Sequence, residues 1–190
     1  FSQPLEWDVS SVTNMRQMFQ NAHAFNQPLN WDVSSVTDMN FMFASAWAFN
    51  QTLNWNVSSV TTMYAMFFFT RIFDQPLTNR EGGPWDVSSV TNMSYMFAGA
   101  GVFNQPLDWD VSSVTNMEGM FLQARVFNRP LSWDVSSVTN MERMFAGANA
   151  FNRPLTNRHG GPWDVTNVTN MSNMFYSTAQ NPPPGWYNGQ

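Results

Sequence analysis

One stretch of sequence recurs seven times along this chain of 190 residues. It reads Trp-Asp-Val-Ser-Ser-Val-Thr-Asn-Met-x-x-Met-Phe and is followed, after two variable residues, by Ala-x-x-Phe-Asn-Gln-Pro-Leu. All 14 methionines of the chain fall in its Met-x-x-Met pairs. The units begin at Trp7, Trp31, Trp55, Trp85, Trp109, Trp133 and Trp163. Self-similarity at a period of about 20 to 50 residues is typical of repeat architectures, so the sequence predicts one elongated array rather than two globular domains.

The array is predicted to cover residues 1–180, and residues 181–190 are predicted to form a proline-rich cap or tail. The last unit departs from the pattern at Thr166 and Asn167 and gives way to a run of three prolines, a tryptophan and a tyrosine. Prolines cannot pair as a strand, and aromatic rings can cover the open end of a repeat core. Phe1 to Leu5 match the tail of a unit, which indicates a piece of a longer array.

Each unit carries two apolar patterns. In the first unit Met15, Met18, Phe19 and Ala22 lie at i, i+3, i+4 and i+7, the spacing of one face of a short helix. The following Phe-x-x-x-Leu-x-Trp-x-Val has the even spacing of extended chain. We therefore expect a solenoid of seven stacked coils, with a short helix or helical turn in each coil. The extended stretch over Phe-Asn-Gln-Pro-Leu would pair in a parallel β ladder, with a second extended stretch near Val-Thr-Asn.

Two insertions separate a leucine from the next tryptophan, at residues 78–84 and 156–162, and both end in Gly-Gly-Pro. A site that accepts six extra residues is a surface loop. The tryptophans are spaced by 24, 24 and 30 residues twice over, so a unit of 78 residues has been duplicated. The loops are explained by that duplication alone or form a binding rim that offers Arg80, Glu81, Arg158 and His159.

Other departures from the repeat are aromatic. Trp47 and the three consecutive phenylalanines Phe67 to Phe69, of which Phe67 is the phenylalanine of the repeat, depart from the repeated pattern. We expect them to mark an exposed contact patch, in which Trp47 and Phe68 are candidate binding residues. The methionine and tryptophan rows are interpreted as core, because methionine fills irregular space and contacts aromatic edges favourably.

Stacking would turn each polar position into a row. The acidic row consists of Asp8, Asp32, Asp86, Asp110, Asp134 and Asp164, with Asn56 in the remaining unit. Each carboxylate is expected to accept hydrogen bonds from the Ser-Ser that follows it, in an Asx-type turn. The alternative is a calcium ladder, because Ca²⁺ favours clustered oxygen ligands.

Threonine and asparagine also recur in rows. The asparagines after Val-Thr and before Gln-Pro are expected to form amide ladders that satisfy turn backbone. The unbroken threonine row, from Thr13 to Thr169, is explained by packing of β-branched hydroxyl side chains or, alternatively, by an ice-binding face.

The composition argues against several functions. A net charge of −5 does not favour nucleic acid, and the absence of cysteine excludes disulfides and thiolate metal sites. No cofactor motif or catalytic cluster is present, so we expect a noncatalytic protein without a cofactor. No run is long and apolar enough for a membrane span. Sequons at Asn56 and Asn167 are the candidate glycosylation sites.

The repeated motif Trp-Asp-Val-Ser-Ser-Val-Thr-Asn-Met-x-x-Met-Phe resembles the bacterial surface protein repeats of about 24 to 26 residues, a BspA-like branch of the leucine-rich repeats. The resemblance covers Phe1 to about Ala179. It implies a leucine-rich-repeat-like solenoid that is secreted or displayed on a cell surface. It further implies a scaffold or adhesion role through contacts with protein or glycan, or through self-assembly. Calcium binding or ice binding through the Asp or Thr row is the alternative function.

Overall fold

The computed structural model describes residue 3, residues 5–180 and residues 183–189. Of the predicted array and cap, Phe1, Ser2, Pro4, Asn181, Pro182 and Gln190 lie outside the described residues. Strand β1 is Leu131–Ser132 and strand β2 is Leu155–Thr156. They pair in parallel, with Leu131 opposite Leu155 and Ser132 opposite Thr156.

The predicted leucine-rich-repeat-like solenoid, with a helix or helical turn and a β-ladder strand in every coil, is wrong. The described part of the chain contains no helix and only the two short strands β1 and β2. Consecutive units nevertheless lie in register. Single parallel bridges join the residues after Val-Thr in successive units: Asn14, Asp38, Thr62, Asn92, Asn116, Asn140 and Asn170.

Each unit has two parts. The uniform segment is Trp-Asp-Val-Ser-Ser-Val-Thr-Asn and changes little from unit to unit. The turn segment follows it and runs from Met-x-x-Met-Phe to just before the next phenylalanine. The turn segments cover residues 15–24, 39–48, 63–72, 93–102, 117–126, 141–150 and 171–180.

The turn segment is a string of turns. In the third unit the amides of Met63, Ala65, Phe67 and Phe69 donate to carbonyls of the next unit at 2.8–3.0 Å. The intervening amide of Met66 donates back to Met63 at 3.2 Å, and the amides of Phe68 and Thr70 close similar three-residue turns. Ala65 and Phe69 have φ of 52° and 54°, in the left-handed region that helices exclude. A run of such turns buries the same i, i+3, i+4 and i+7 positions as a helix, which explains why the helix prediction was wrong.

The extended stretch predicted over Phe-Asn-Gln-Pro-Leu forms strand only at its end, in β1 and β2. Proline has no amide to donate to a ladder. In addition, side-chain oxygens replace the carbonyl acceptors: the amide of Asn128 donates to Oδ1 of Asn104 at 3.0 Å, and that of Asn152 donates to Oδ1 of Asn128 at 3.1 Å. The prediction that this asparagine row forms an amide ladder is confirmed.

The core consists of parallel rows of identical side chains. Phe97 stacks between Phe67 and Phe121, with ring centroids 5.6 and 5.7 Å apart, and Trp85 stacks on Trp109 at 6.4 Å. Both methionines of the central units are buried, so the interpretation of the methionine and tryptophan rows as core is confirmed there. The indole of Trp133 donates to the carbonyl of Leu107 in the preceding unit at 2.9 Å. Trp186 stacks on Trp163 at 6.1 Å, beyond the last unit.

Candidate contact surface

The differences between units collect on one surface. The uniform segments nearly repeat, whereas the outward positions of the turn segments carry glycine, arginine, glutamate, serine and every kind of aromatic residue. The surface formed by these outward side chains is called the turn face below. Even the two 78-residue copies differ here: Phe68-Phe69 in the first corresponds to Ala146-Gly147 in the second. The turn face is therefore the part of the molecule in which the units are individually distinct.

An aromatic column lies along one line of the turn face. Phe41 packs edge-on against Tyr64, with ring centroids 4.9 Å apart, and Tyr64 packs against Tyr95 at 5.9 Å. The Tyr95 hydroxyl donates to Oε1 of Glu118. Burial is the main reason that the pKa of Tyr95 is raised to about 12, and the hydrogen bond to Glu118 is the second reason. This column is fixed by ring contacts rather than free to rotate.

The predicted contact residue Trp47 lies in a second column. His23 stacks on one side of its indole at 3.7 Å, and the guanidinium of Arg71 lies over the ring at 4.2 Å. Arginine over an indole face is a favourable cation–π arrangement. Trp47 is half-buried in this column, so its edge rather than its face is available for contact.

The predicted run Phe67 to Phe69 divides between core and surface. Phe67 is fully buried, Phe68 is half-buried and Phe69 is 39% exposed. The sequence analysis missed three exposed aliphatic residues of the turn face. Ile72, Val102 and Val126 occupy the same position in three successive units, and they are 47%, 42% and 41% exposed. This part of the turn face is apolar because it exposes Phe69, Ile72, Val102 and Val126.

Glycines make room for the side chains of the preceding unit. A Cβ on Gly99 would lie 2.9 Å from the Phe69 ring, and one on Gly119 would lie 2.5 Å from the Tyr95 ring. Both glycines have positive φ, as do the residues that cover them. A side chain at a left-handed position therefore lies over the same position of the next unit, and glycine at that position makes room for Phe69 and Tyr95.

A trough lies farther along the turn face, with a volume of about 610 Å³. The trough residues are Leu122, Gln123, Arg125, Arg143, Ala146, Gly147, Asn149, Asn173, Tyr176 and Ser177. Ala146 and Gly147 form its floor because they are smaller than their counterparts in the flanking units. Sequence reasoning missed this site, although the drop from Leu122 to Ala146 and the rise to Tyr176 could have indicated it.

The two Gly-Gly-Pro loops fold back over earlier units. Nη2 of Arg80 donates to the carbonyl of Trp31 at 3.1 Å, and Nη2 of Arg158 lies 3.9 Å from Oδ1 of Asp110. Each arginine therefore reaches the uniform segment of the preceding unit. Both loops close internally in the same way. In the first loop the amides of Glu81 and Gly83 donate to Oδ1 of Asn79, and in the second the amides of His159 and Gly161 donate to Oδ1 of Asn157.

The predicted rim residues near these loops have unequal surroundings. Glu81 lies in a groove with Arg80, Asn56 and Asp86, whereas His159 lies in a groove with Arg158, Asp134 and Asp164. Trp47 and Phe68 belong to the turn face, so the structure does not join all six predicted binding residues in one site.

The acidic row forms the predicted Asx turns. The amide of the second residue after each acid or Asn56 donates to its Oδ1 at 3.1 Å throughout. The following Ser or Thr hydroxyl, with its amide, lowers the pKa of Asp8, Asp32, Asp110 and Asp164. Within the described residues, no group of three or more acidic or histidine side chains could hold a metal ion, which gives no support to the calcium ladder.

The threonine row is exposed along the stack. Each hydroxyl from Thr37 onward donates to the carbonyl of the preceding threonine at 3.1–3.2 Å. These protons are therefore committed to the backbone of the neighbouring unit, which favours the structural interpretation over ice binding. Of the predicted glycosylation sites, Asn56 is exposed beneath the first loop and Asn167 is exposed but donates to Ser136 at 2.7 Å.

Comparison with known families gives one match. A family model described as "Mycoplasma protein of unknown function, DUF285" matches residues 1–83 and residues 77–184. No curated protein and no solved structure matches the chain. Over the part of the chain that the structure describes, there is no helix with the length and apolar character needed to cross a membrane.

Proposed function

The chain belongs to the DUF285 family, and we propose that it is a noncatalytic scaffold or adhesion module that contacts protein or glycan through its turn face. Location at a cell surface or outside the cell is part of this proposal and rests on the resemblance to BspA-like surface repeats. If the contacted protein is a second copy of this chain, the same contacts lead to self-assembly into a larger structure.

One observation carries the proposal. Side chains differ from unit to unit on the turn face, while the rest of each unit nearly repeats. A repeat array that served only as a spacer would have no need of distinct exposed residues such as Phe69, Ile72 and Tyr176 on a single face. Extended arrays of repeats use such a face as their binding surface.

The noncatalytic part of the proposal is supported by where the titratable groups lie. His23 is stacked on Trp47, and His159 lies in the second loop against the uniform segment. Glu118 accepts from Tyr95 and Asn140, and Glu142 accepts from Asn170 at 2.9 Å. These groups support packing and turns.

A comparison of variants on two faces tests the proposal. The chain is measured against immobilised matrix proteins and oligosaccharides, first unaltered and then with Phe69→Ser, Ile72→Thr, Val102→Thr and Val126→Thr combined. Binding is expected to fall at least about tenfold, because exposed apolar contacts supply the centre of such interfaces. The matched control replaces four exposed threonines by serine, which keeps their hydroxyl bonds: Thr37, Thr61, Thr91 and Thr115. Binding that responds only to the threonine set would contradict the proposal.

A further inference from the structure

We propose that the trough above Ala146 and Gly147 binds a saccharide that carries a carboxylate, such as a uronic acid unit. This inference rests on the proposed contact function of the turn face and specifies one ligand for one part of it.

The shape comes from one unit with small residues between two units with larger ones. Ala146 has only a methyl side chain and Gly147, with φ of 72°, has none, so the floor of the sixth unit is nearly bare backbone. Leu122 and Gln123 of the fifth unit form one wall, and Tyr176 and Ser177 of the seventh form the other. At a spacing of about 4.8 Å between neighbouring strands, the two walls stand about 10 Å apart. The volume of about 610 Å³ lies within the range of small-molecule sites.

The charge of the trough is opposite to that of the chain. The chain carries a net charge of −5, but among the described residues the trough is lined by Arg125 and Arg143 and by no acidic side chain. Nε of Arg143 lies 3.6 Å from Oε1 of Glu142, and the Arg143 side chain is still 53% exposed. Since a guanidinium has five N–H donors, this contact leaves Arg143 free to bind a second carboxylate. Two arginines in the lining therefore favour an anionic ligand with a planar group.

The rest of the lining favours a sugar over an acidic peptide. The Tyr176 ring is 71% exposed and forms a wall against which the C–H face of a pyranose can pack. Gln123, Asn149 and Asn173 offer planar amides to hydroxyl groups, and Nδ2 of Asn149 is held by the Ser177 carbonyl at 3.0 Å. The shallow floor of Ala146 and Gly147 offers no deep pocket for the apolar side chain that anchors a peptide.

The experiment uses a defined pair of probes and the full chain. An oligogalacturonate and its methyl ester are titrated by calorimetry, since the ester keeps the sugar chain and replaces each carboxylate by an uncharged methyl ester. The acid is expected to bind at least about tenfold more tightly than the ester. Arg125→Gln combined with Arg143→Gln is expected to remove that preference. Arg153→Gln is the matched control, because glutamine occupies this position in earlier units and makes the same bond to the preceding unit, as Gln105 does with Asp74.

A second variant tests the location. Ala146→Leu fills the trough with the residue that Leu122 already provides at the same position of the fifth unit, and binding should be lost. Ala44→Leu makes the same change far from the trough and should leave binding unchanged. Thermal unfolding of both variants verifies that each is folded.

Several outcomes would overturn the inference. They are equal binding of acid and ester, unchanged binding by Ala146→Leu, tighter binding of an oligoglutamate peptide than of the sugar, or no binding of the sugar at all. None of these outcomes alters the response of other partners to the Phe69, Ile72, Val102 and Val126 set. A failed saccharide site is thereby distinguished from a failed contact function.

Discussion

The uniform segment and the turn segment are joined to their neighbours in different ways. In the uniform segment recurring side chains add to the backbone bonds: Asp110 accepts from the Ser112 amide, and the Thr115 hydroxyl donates to the Thr91 carbonyl beside the Thr115 amide, which donates at 2.9 Å. In the turn segment the hydrogen bonds to the next unit join backbone groups, as in the 2.9 Å bond from the Phe67 amide to the Met96 carbonyl. Side chains that hold the backbone must recur in every unit. Side chains that do not hold it are free to differ, and this freedom makes the turn face suitable for specific contacts.

The largest expected effect compares two phenylalanines. Phe97 is fully buried and Phe69 is 39% exposed. Phe97→Ala should lower the free energy of unfolding by about 3–5 kcal/mol, because it leaves a cavity in the stacked row. Phe69→Ala should cost less than about 1.5 kcal/mol, since its ring loses mainly surface contacts. Urea unfolding measures both, and comparable losses would contradict the assignment of Phe69 to a contact surface.

A smaller effect is expected in the asparagine ladder. Oδ1 of Asn104 accepts from the Asn128 amide at 3.0 Å, so Asn104→Ala should cost about 1–3 kcal/mol by leaving that amide without its partner. Asn104→Asp should restore most of the loss, because Asp74 already serves this position. Asn149→Ala on the turn face is the comparison and should change stability by about 0.5 kcal/mol or less. A large loss for Asn149→Ala would show that the turn face also supports the stack.

The glycine beneath Tyr95 provides a third comparison. Gly119→Ala should cost about 1–2 kcal/mol, because alanine is disfavoured at φ of 55° and its Cβ would meet the Tyr95 ring. Part of that cost should disappear when Tyr95→Ala is also present. A double-mutant cycle measures the coupling. Strictly additive costs would mean that the ring does not lie over Gly119.

Alkaline pH should affect the turn face first. The folded-state pKa of Tyr95 is raised to about 12 from an ordinary value of 10.0, so the neutral phenol is favoured by folding. Its contribution to stability is complete below pH 10 and is lost as the pH rises through 12. Glu118→Gln should move the titration of Tyr95, followed by ultraviolet absorbance, downward but not to 10.0, because burial is the larger cause. An unchanged titration would exclude the contact with Glu118.

Acid should affect the uniform segment, with the smallest effect. The hydroxyl and the amide of Ser112 lower the pKa of Asp110 below its ordinary value of 3.8. The unfolded chain therefore binds this proton at a higher pH than the folded chain. The contribution of Asp110 to the free energy of unfolding is present above about pH 4 and is lost as the pH falls. Ser112→Ala should raise the pKa of Asp110, which carboxyl NMR titration measures. A titration curve that stays in place would mean that the hydroxyl does not reach the carboxylate.

The sequence predicted what depends on repetition. The period, the buried methionine and tryptophan rows and the Asx turns follow from which residues recur and what they can bond to. The helix was predicted wrongly, because a run of three-residue turns buries the same positions as two helical turns. The glycines Gly99, Gly119 and Gly147 at left-handed positions were the available sign against it. The trough was missed, although the change from Leu122 to Ala146 and then to Tyr176 at one repeat position could have indicated it, because its walls come from side chains of different units.

In the turn segment alternate amides bond to the next unit and not within a helix. The most direct test is NMR scalar coupling across hydrogen bonds, observed from the Phe67 amide nitrogen. Coupling to the Met96 carbonyl carbon is predicted, in agreement with the 2.9 Å bond between the units. Coupling to the Met63 carbonyl, four residues earlier, would instead show a helix and would contradict the account of the turn face.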